Sequence, residues 1–67
     1  MMLIINGEKR EFKQKIKSIS QLLKALKVKS DFVAVELNGR VVFREDFKST
    51  EVKEGDNLEI VSFVGGG

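Results

Sequence analysis

The chain has few groups that could do chemistry, and the most unusual of them is its C-terminal carboxylate. Its 67 residues include no Cys, His, Tyr or Trp. This composition removes thiolate chemistry, the commonest general base and the commonest metal ligand. Lys, Asp and Glu remain, and their signs are interspersed along the chain, so we expect them to form a solvated surface. The sequence therefore disfavours an enzyme and predicts no metal site.

The chain ends in three consecutive glycines, Gly65, Gly66 and Gly67, directly after an apolar run. A segment without Cβ atoms can thread a narrow tunnel that any side chain would block. Three extended residues reach about 10 Å, and the reactive group they deliver is the α-carboxylate of Gly67. The tail therefore suits presentation of a carboxylate to the active site of another protein. The alternative interpretation is an incidental extension of the domain.

Two Asn-Gly pairs, Asn6-Gly7 and Asn38-Gly39, each lie between β-rich runs. Asn-Gly is the strongest short hairpin signal, because a type I′ turn needs positive φ at both central residues. A last apolar run precedes the glycine tail. The expected strands cover residues 2–6, 8–15, 32–37, 40–44 and 57–64.

One helix is expected between the two hairpins. Ser18 and Gln21 fit a capping box, and the apolar residues that follow are spaced as on one buried helix face. This pattern predicts a helix over residues 19–27. The segment "EDF" at residues 45–47 is expected to form a short helical turn.

The order β-β-α-β-β-β predicts an α+β fold, the ubiquitin-like β-grasp, in which a mixed sheet of about five strands carries one main helix on one face. Residues 1–64 would form the domain and residues 65–67 a flexible tail. The richer apolar faces are expected to meet the helix. The predicted core is Leu3, Ile5, Phe12, Ile16, Ile19, Leu22, Leu23, Leu26, Val33, Val35, Leu37, Val42, Leu58 and Ile60.

The other face of the sheet keeps five apolar residues, which are Ile4, Val41, Phe43, Val61 and Phe63. Single apolar side chains on a surface are normal, and the stems of lysines can cover them. Several on one face also indicate a docking surface for a partner protein. Both interpretations stay open from the sequence.

These features together resemble the thiamine-biosynthesis sulfur carrier family, the ThiS-like proteins. The resemblance rests on the chain length, the β-grasp order, "LNGRVVFRED" after the helix, "KEGDNLEIVSFV" before the tail and the terminal "VGGG". It covers essentially the whole chain. Phe43 stands where the family often has a proline, and we expect no change of function from it.

The resemblance implies a carrier that binds no cofactor and contributes no catalytic side chain. An E1-like adenylating enzyme would use ATP and Mg²⁺ to convert the Gly67 carboxylate to an acyl-adenylate. A sulfur donor such as a cysteine desulfurase system would then replace AMP and leave a thiocarboxylate, whose sulfur thiazole synthase would receive. Gly65 and Gly66 would line the tunnels of these enzymes, and the open sheet face would dock both.

Other assignments share some of these features. A relative with the same activation could serve tRNA thiolation or molybdopterin synthesis, and a ubiquitin-like modifier would join Gly67 to a lysine. A plain binding module would make the tail incidental.

The net charge is only +2 and no RNA- or DNA-recognition motif occurs, so we expect no nucleic-acid partner. No signal or membrane segment is evident, so a cytoplasmic location is expected; whether Met1 or Met2 is the native start stays open.

Overall fold

The computed structural model describes residues 1–63. Within this range five strands and one α-helix follow one another in the predicted order, β-β-α-β-β-β. There are also two 3₁₀ turns, Ser30–Phe32 and Arg44–Asp46. The second matches the helical turn expected near "EDF". The elements are β1 (Met2–Ile5), β2 (Glu8–Glu11), α1 (Ile19–Ala25), β3 (Val33–Leu37), β4 (Arg40–Val42) and β5 (Asn57–Ser62).

All five strands form one mixed sheet in the order β2-β1-β5-β3-β4. The last strand along the chain therefore lies in the centre of the sheet. It runs parallel to β1 and antiparallel to β3. This arrangement is the β-grasp expected from the sequence, and it places the strand that leads to the tail between two neighbouring strands.

The two hairpins turn as predicted. Asn6 and Asn38 both have φ of 51°, and the glycines after them have φ of 83° and 85°. These positive values at both central positions are those a type I′ turn requires. The β3–β4 ladder pairs Leu37 with Arg40 and continues to Val42, where it ends one pair earlier than expected.

Several elements are shorter than the sequence predicts, and the differences are clearest for β2 and the helix. β2 ends at Glu11 rather than near residue 15: its ladder with β1 ends at the pair Met2–Glu11, and beyond that pair only Met1 and Phe12 exchange backbone hydrogen bonds. The helix ends at Ala25 rather than at residue 27, because Lys27 takes the left-handed conformation with φ of 60°. The amide of Val28 then donates to the carbonyl of Leu23 and that of Lys27 to the carbonyl of Lys24, which is a Schellman C-cap.

The start of α1 follows the predicted capping box. The Ser18 hydroxyl accepts from the backbone N–H of Gln21 at 3.2 Å, while the Gln21 side chain accepts from the backbone N–H of Lys17 at 2.6 Å. In the usual capping box the Gln21 side chain would accept from the backbone N–H of Ser18, the N-cap residue. Here it accepts from the residue before the N-cap.

The core lies between α1 and one face of the sheet. Ten of the fourteen predicted core residues are buried, and Phe12, Leu26, Leu37 and Val42 pack against them half-exposed. Phe47 and Val52 are buried as well, at 2% and 3% exposure, although neither belongs to the predicted core.

Backbone hydrogen bonds to the start of the helix hold the segment 47–52 against the core, where Phe47 and Val52 are buried. The amide of Ser20 donates to the carbonyl of Phe47, Ile19 donates to Thr50, and Val52 donates to Lys17. These bonds close the end of the core that the short sheet leaves open. The sequence analysis did not predict this contribution of the segment to the core.

No helix among residues 1–63 is long and apolar enough to cross a bilayer. The same part of the chain holds no cluster of three or more Asp or Glu side chains placed to bind a metal ion.

Candidate functional site

The candidate site begins where the central strand ends. β5 finishes at Ser62, and the amide of Phe63 donates to the carbonyl of Phe32 at 3.0 Å. This bond is the last backbone contact before the tail. Gly65, Gly66 and Gly67, the residues predicted to carry the chemistry, lie outside the described residues together with Val64.

Four of the five predicted docking residues are strongly exposed. Val41, Phe43, Val61 and Phe63 are each between 58% and 63% accessible. Burial of large apolar side chains normally stabilises a small domain by about 1.5–3 kcal/mol each, so leaving several exposed on one face is unfavourable for an isolated protein. The sheet pairing explains the exposure, because their neighbours along the strands, such as Val42 and Ile60, point towards the helix.

Ile4 is separate from the other four. It pairs with Asn57 at the start of β5, whereas Val61 and Phe63 lie at the opposite end of that strand. Ile4 is also only half-exposed. The structure therefore places it on the predicted face without bringing it into the group next to the tail.

Phe32 is an exposed aromatic residue that the sequence analysis did not include. It is 48% exposed and its carbonyl accepts the bond from Phe63. The alternation of side chains along a strand could have predicted its position on the open face. Phe32 is two residues before Ala34, and Ala34 lies opposite Val61. We refer to the exposed residues Phe32, Val41, Phe43, Val61 and Phe63 as the apolar patch.

Charged groups border the apolar patch. Asp31 and Arg44 form an exposed ion pair at 3.2 Å that joins the two 3₁₀ turns. Glu36 lies opposite both Glu59 and Val41 in the ladders, and neither glutamate forms an ion pair within residues 1–63. The exposed ion pair adds little stability, so these charges matter chiefly for which surface can approach the patch.

The larger grooves lie elsewhere. One of about 380 Å³ on the helix side is lined by Ser18, Gln21, Lys24 and Lys48, among others. Its polar groups are surface lysines and hydroxyls, and it does not include any residue of the apolar patch. Among residues 1–63, the candidate site is thus the exposed sheet face at the end of β5, and this groove is not part of it.

Fold and surface together define a class of protein: a small β-grasp domain whose last strand is the central one and ends among the residues of an exposed apolar patch. Comparison with known proteins identifies the family within this class.

Two curated proteins match the chain over nearly all its length. It is 35% identical over 66 residues to the sulfur carrier protein ThiS of Bacillus subtilis, which covers 98% of this chain and 100% of that protein. It is 45% identical over 67 residues to a thiazole synthase of Paramagnetospirillum magneticum, and there the match covers all of this chain but only 20% of the relative. This chain therefore spans about a fifth of that protein.

The structure superposes on the crystal structure of the thiamine biosynthesis protein ThiS from Geobacter metallireducens with a TM-score of 0.85, at 43% identity and with full coverage of both chains. The model of the ThiS family matches residues 3–67. The chain belongs to the ThiS family.

Proposed function

We propose that this protein is the sulfur carrier of thiamine biosynthesis and that the carboxylate of Gly67 carries the sulfur. The observation that carries the proposal is the position of β5, the central strand, which ends at Ser62 among the exposed residues of the apolar patch and directly precedes the tail in the sequence. Family membership and the Bacillus sulfur carrier support it. The protein would act as a co-substrate of its partner enzymes and not as an enzyme.

The proposed chemistry takes place on the chain terminus. A carboxylate is a poor electrophile, so an E1-like adenylating enzyme would first join it to the α-phosphate of ATP and release pyrophosphate, with Mg²⁺ held by that enzyme. A persulfide donor, such as one charged by a cysteine desulfurase, would then displace AMP and form an acyl disulfide with Gly67. Attack of a second thiol on that disulfide would release the thiocarboxylate and leave the two thiols oxidised to a disulfide. Because the first step needs ATP and the donor is a cytoplasmic system, we place the protein in the cytoplasm.

The residues of the chain have two tasks in this scheme. Gly65 and Gly66 would let the terminus enter a narrow active-site tunnel, because neither carries a Cβ. Val41, Phe43, Val61 and Phe63, with Phe32, would dock on an apolar surface of the partner. Ile4 could contribute only at the far end of such a contact.

Thiazole synthase is the acceptor that we propose. The relative of that name contains a segment 45% identical to this whole chain, so in that protein a domain of this kind is joined covalently to about four times its own length of additional chain. Physical linkage raises the effective concentration of two domains that work together. A separate carrier would have to make the same contact by docking.

The decisive experiment is intact mass spectrometry of the chain after incubation with an adenylating enzyme, ATP, Mg²⁺ and a sulfur donor. We expect a gain equal to the replacement of one oxygen by sulfur, confined to Gly67. A chain without Gly66 and Gly67, and one extended beyond Gly67, should both stay unchanged. No gain under conditions that convert an established carrier would refute the proposal.

The proposed docking role of the apolar patch is tested separately with the substitution Phe63→Asp. We expect its affinity for the adenylating enzyme or thiazole synthase to fall about tenfold or more, as for the loss of a central apolar contact. Gln14→Asp is the matched control, because it adds the same charge at an exposed position far from the patch. Equal affinities for the two variants would exclude the patch as the docking surface.

A further inference from the structure

The second half of β5 is supported differently on its two sides. On the β3 side the ladder continues to the pair Val33–Ser62, and Phe63 adds its bond to Phe32. On the β1 side the ladder pairs only Asn57 and Leu58, because β1 turns back into the first hairpin after Ile5. The strand that leads to the tail therefore loses one neighbour before it ends.

The side chain of Asn6 takes the place of that neighbour. Its Nδ2 donates to the carbonyl of Ile60 at 3.0 Å, and its Oδ1 accepts from the amide of Ile60 at 2.7 Å. Its own backbone amide donates to the carbonyl of Leu58 at 2.8 Å. One amide side chain thus reproduces both hydrogen bonds of a strand residue, in a part-buried position where such bonds are stronger than in water.

We infer that Asn6 is a positioning residue. Its side chain fixes the direction of β5 beyond Leu58, where β1 no longer pairs with it, so that the tail enters a partner's active site in the productive orientation. This inference rests on the proposed function. Gly67 is four positions after Phe63 in the sequence, so an extended chain would reach up to about 13 Å beyond Phe63, and a tilt of about 10° at Phe63 would move its end by roughly 2 Å. A misplacement of about 1 Å can reduce a rate about 100-fold.

The second hairpin provides a matched control. Asn38 has the same φ, precedes a glycine in the same kind of turn and also bonds to β5 through its side chain. Its Nδ2 donates to the carboxylate of Asp56 and its Oδ1 accepts from the amide of Asn57. Each asparagine thus makes two side-chain bonds, but those of Asn38 lie at the beginning of β5, far from the tail.

The experiment compares Asn6→Gly with Asn38→Gly. Gly-Gly supports a type I′ turn, so each variant keeps its hairpin and loses two side-chain hydrogen bonds. The assay is steady-state adenylation of the carrier by the adenylating enzyme, with AMP or pyrophosphate release as the readout and the carrier varied as substrate. Denaturation curves identify a temperature at which both variants are folded.

For Asn6→Gly we expect kcat to fall about tenfold or more with little change in KM, because the patch residues on β5 remain paired to β3. Asn38→Gly should retain the wild-type kcat. Amide exchange at Ile60 and Phe63 should accelerate only in Asn6→Gly. Asn6→Asp keeps the acceptor for the Ile60 amide but turns an oxygen towards the Ile60 carbonyl, so its kcat should lie below that of wild type.

Equal kcat values for the two glycine variants, with the wild-type chain fully active, would overturn the positioning role alone. A higher KM for Asn6→Gly without a lower kcat would also overturn the positioning role, because that result would assign Asn6 to docking. If the wild-type chain itself is not adenylated, the proposed function fails and the positioning role fails with it.

Discussion

Single residues in this protein often serve two elements at once. Asn6 and Asn38 each form a turn through their backbone and tie the central strand through their side chain. Lys27 ends the helix in a conformation that glycine normally supplies. Such double roles are useful in a chain of this size, which buries only about 60% of the surface that its unfolded form exposes.

Lys27→Gly should stabilise the protein. A non-glycine residue in the left-handed region costs about 1–2 kcal/mol, and the greater freedom of glycine in the unfolded chain offsets part of that gain. We expect the free energy of unfolding in urea to rise by about 0.5–1 kcal/mol. Lys24→Gly, within α1, should instead lower it by about 1 kcal/mol, and a loss of stability at both positions would contradict the assigned helix end.

The phenylalanines give a second test at this scale. Phe47 is 2% exposed and Phe43 is 63% exposed, only four positions apart. We expect Phe47→Ala to lower the free energy of unfolding by about 3–5 kcal/mol and Phe43→Ala to change it by less than about 0.5 kcal/mol. Urea titrations of both variants measure this difference, and similar losses would show that residues 47–52 are not part of the core.

At the scale of elements, the two hairpins frame the central strand. Each turn places its asparagine beside β5, so the turns fix strand register and strand contacts together. The glycines that follow have φ above 80°, and a Cβ added at either would meet no atom within 4 Å. Backbone conformation alone, and not crowding, therefore requires glycine at these positions.

This distinction can be tested at Gly39 by chemical synthesis of the chain with L- or D-alanine. The L residue must be forced into positive φ, so we expect it to lower stability by about 1–2 kcal/mol. The D residue prefers that conformation and restricts the unfolded chain, so it should keep or raise stability by up to about 1 kcal/mol. Equal losses for both enantiomers, measured by thermal unfolding, would point to a steric contact instead.

At the scale of the whole molecule, the described residues form one core with two unlike surfaces. The helix side carries the grooves and many lysines, while the open sheet face carries the apolar patch beside the tail. All twelve buried apolar residues belong to one cluster, including Phe47 and Val52 from the connection before β5. The core and the proposed docking surface therefore lie on opposite faces of the same sheet.

A single core predicts a single unfolding transition. We expect far-UV circular dichroism and the methyl NMR signals of Val52 to give the same urea midpoint, with a slope of about 1 kcal/mol per molar urea, the low end of the range for small domains. The methyl signals of Leu58 in the central strand provide the reference. An earlier midpoint for Val52 would show that residues 47–52 open independently of the sheet.

The sequence by itself determined the elements, the fold class and the two faces of the sheet. Asn-Gly turns, the capping box and strand alternation act over a few residues, so they can be recognised in one dimension. The same local signals placed Val41, Phe43, Val61 and Phe63 on the open face, where they are exposed. The glycine tail and its proposed role also came from the sequence, and Gly65, Gly66 and Gly67 stay a prediction outside the described residues.

Only the tertiary structure decided which distant segments meet. Asn6 and Ile60 are 54 positions apart, and nothing in the sequence near either residue indicates their contact. The burial of Phe47 and Val52 depends in the same way on bonds to the helix start, and the separation of Ile4 from the patch depends on how far β1 overlaps β5. The reason is physical: local patterns fix backbone conformation, whereas pairing between remote segments depends on the packing of the whole chain.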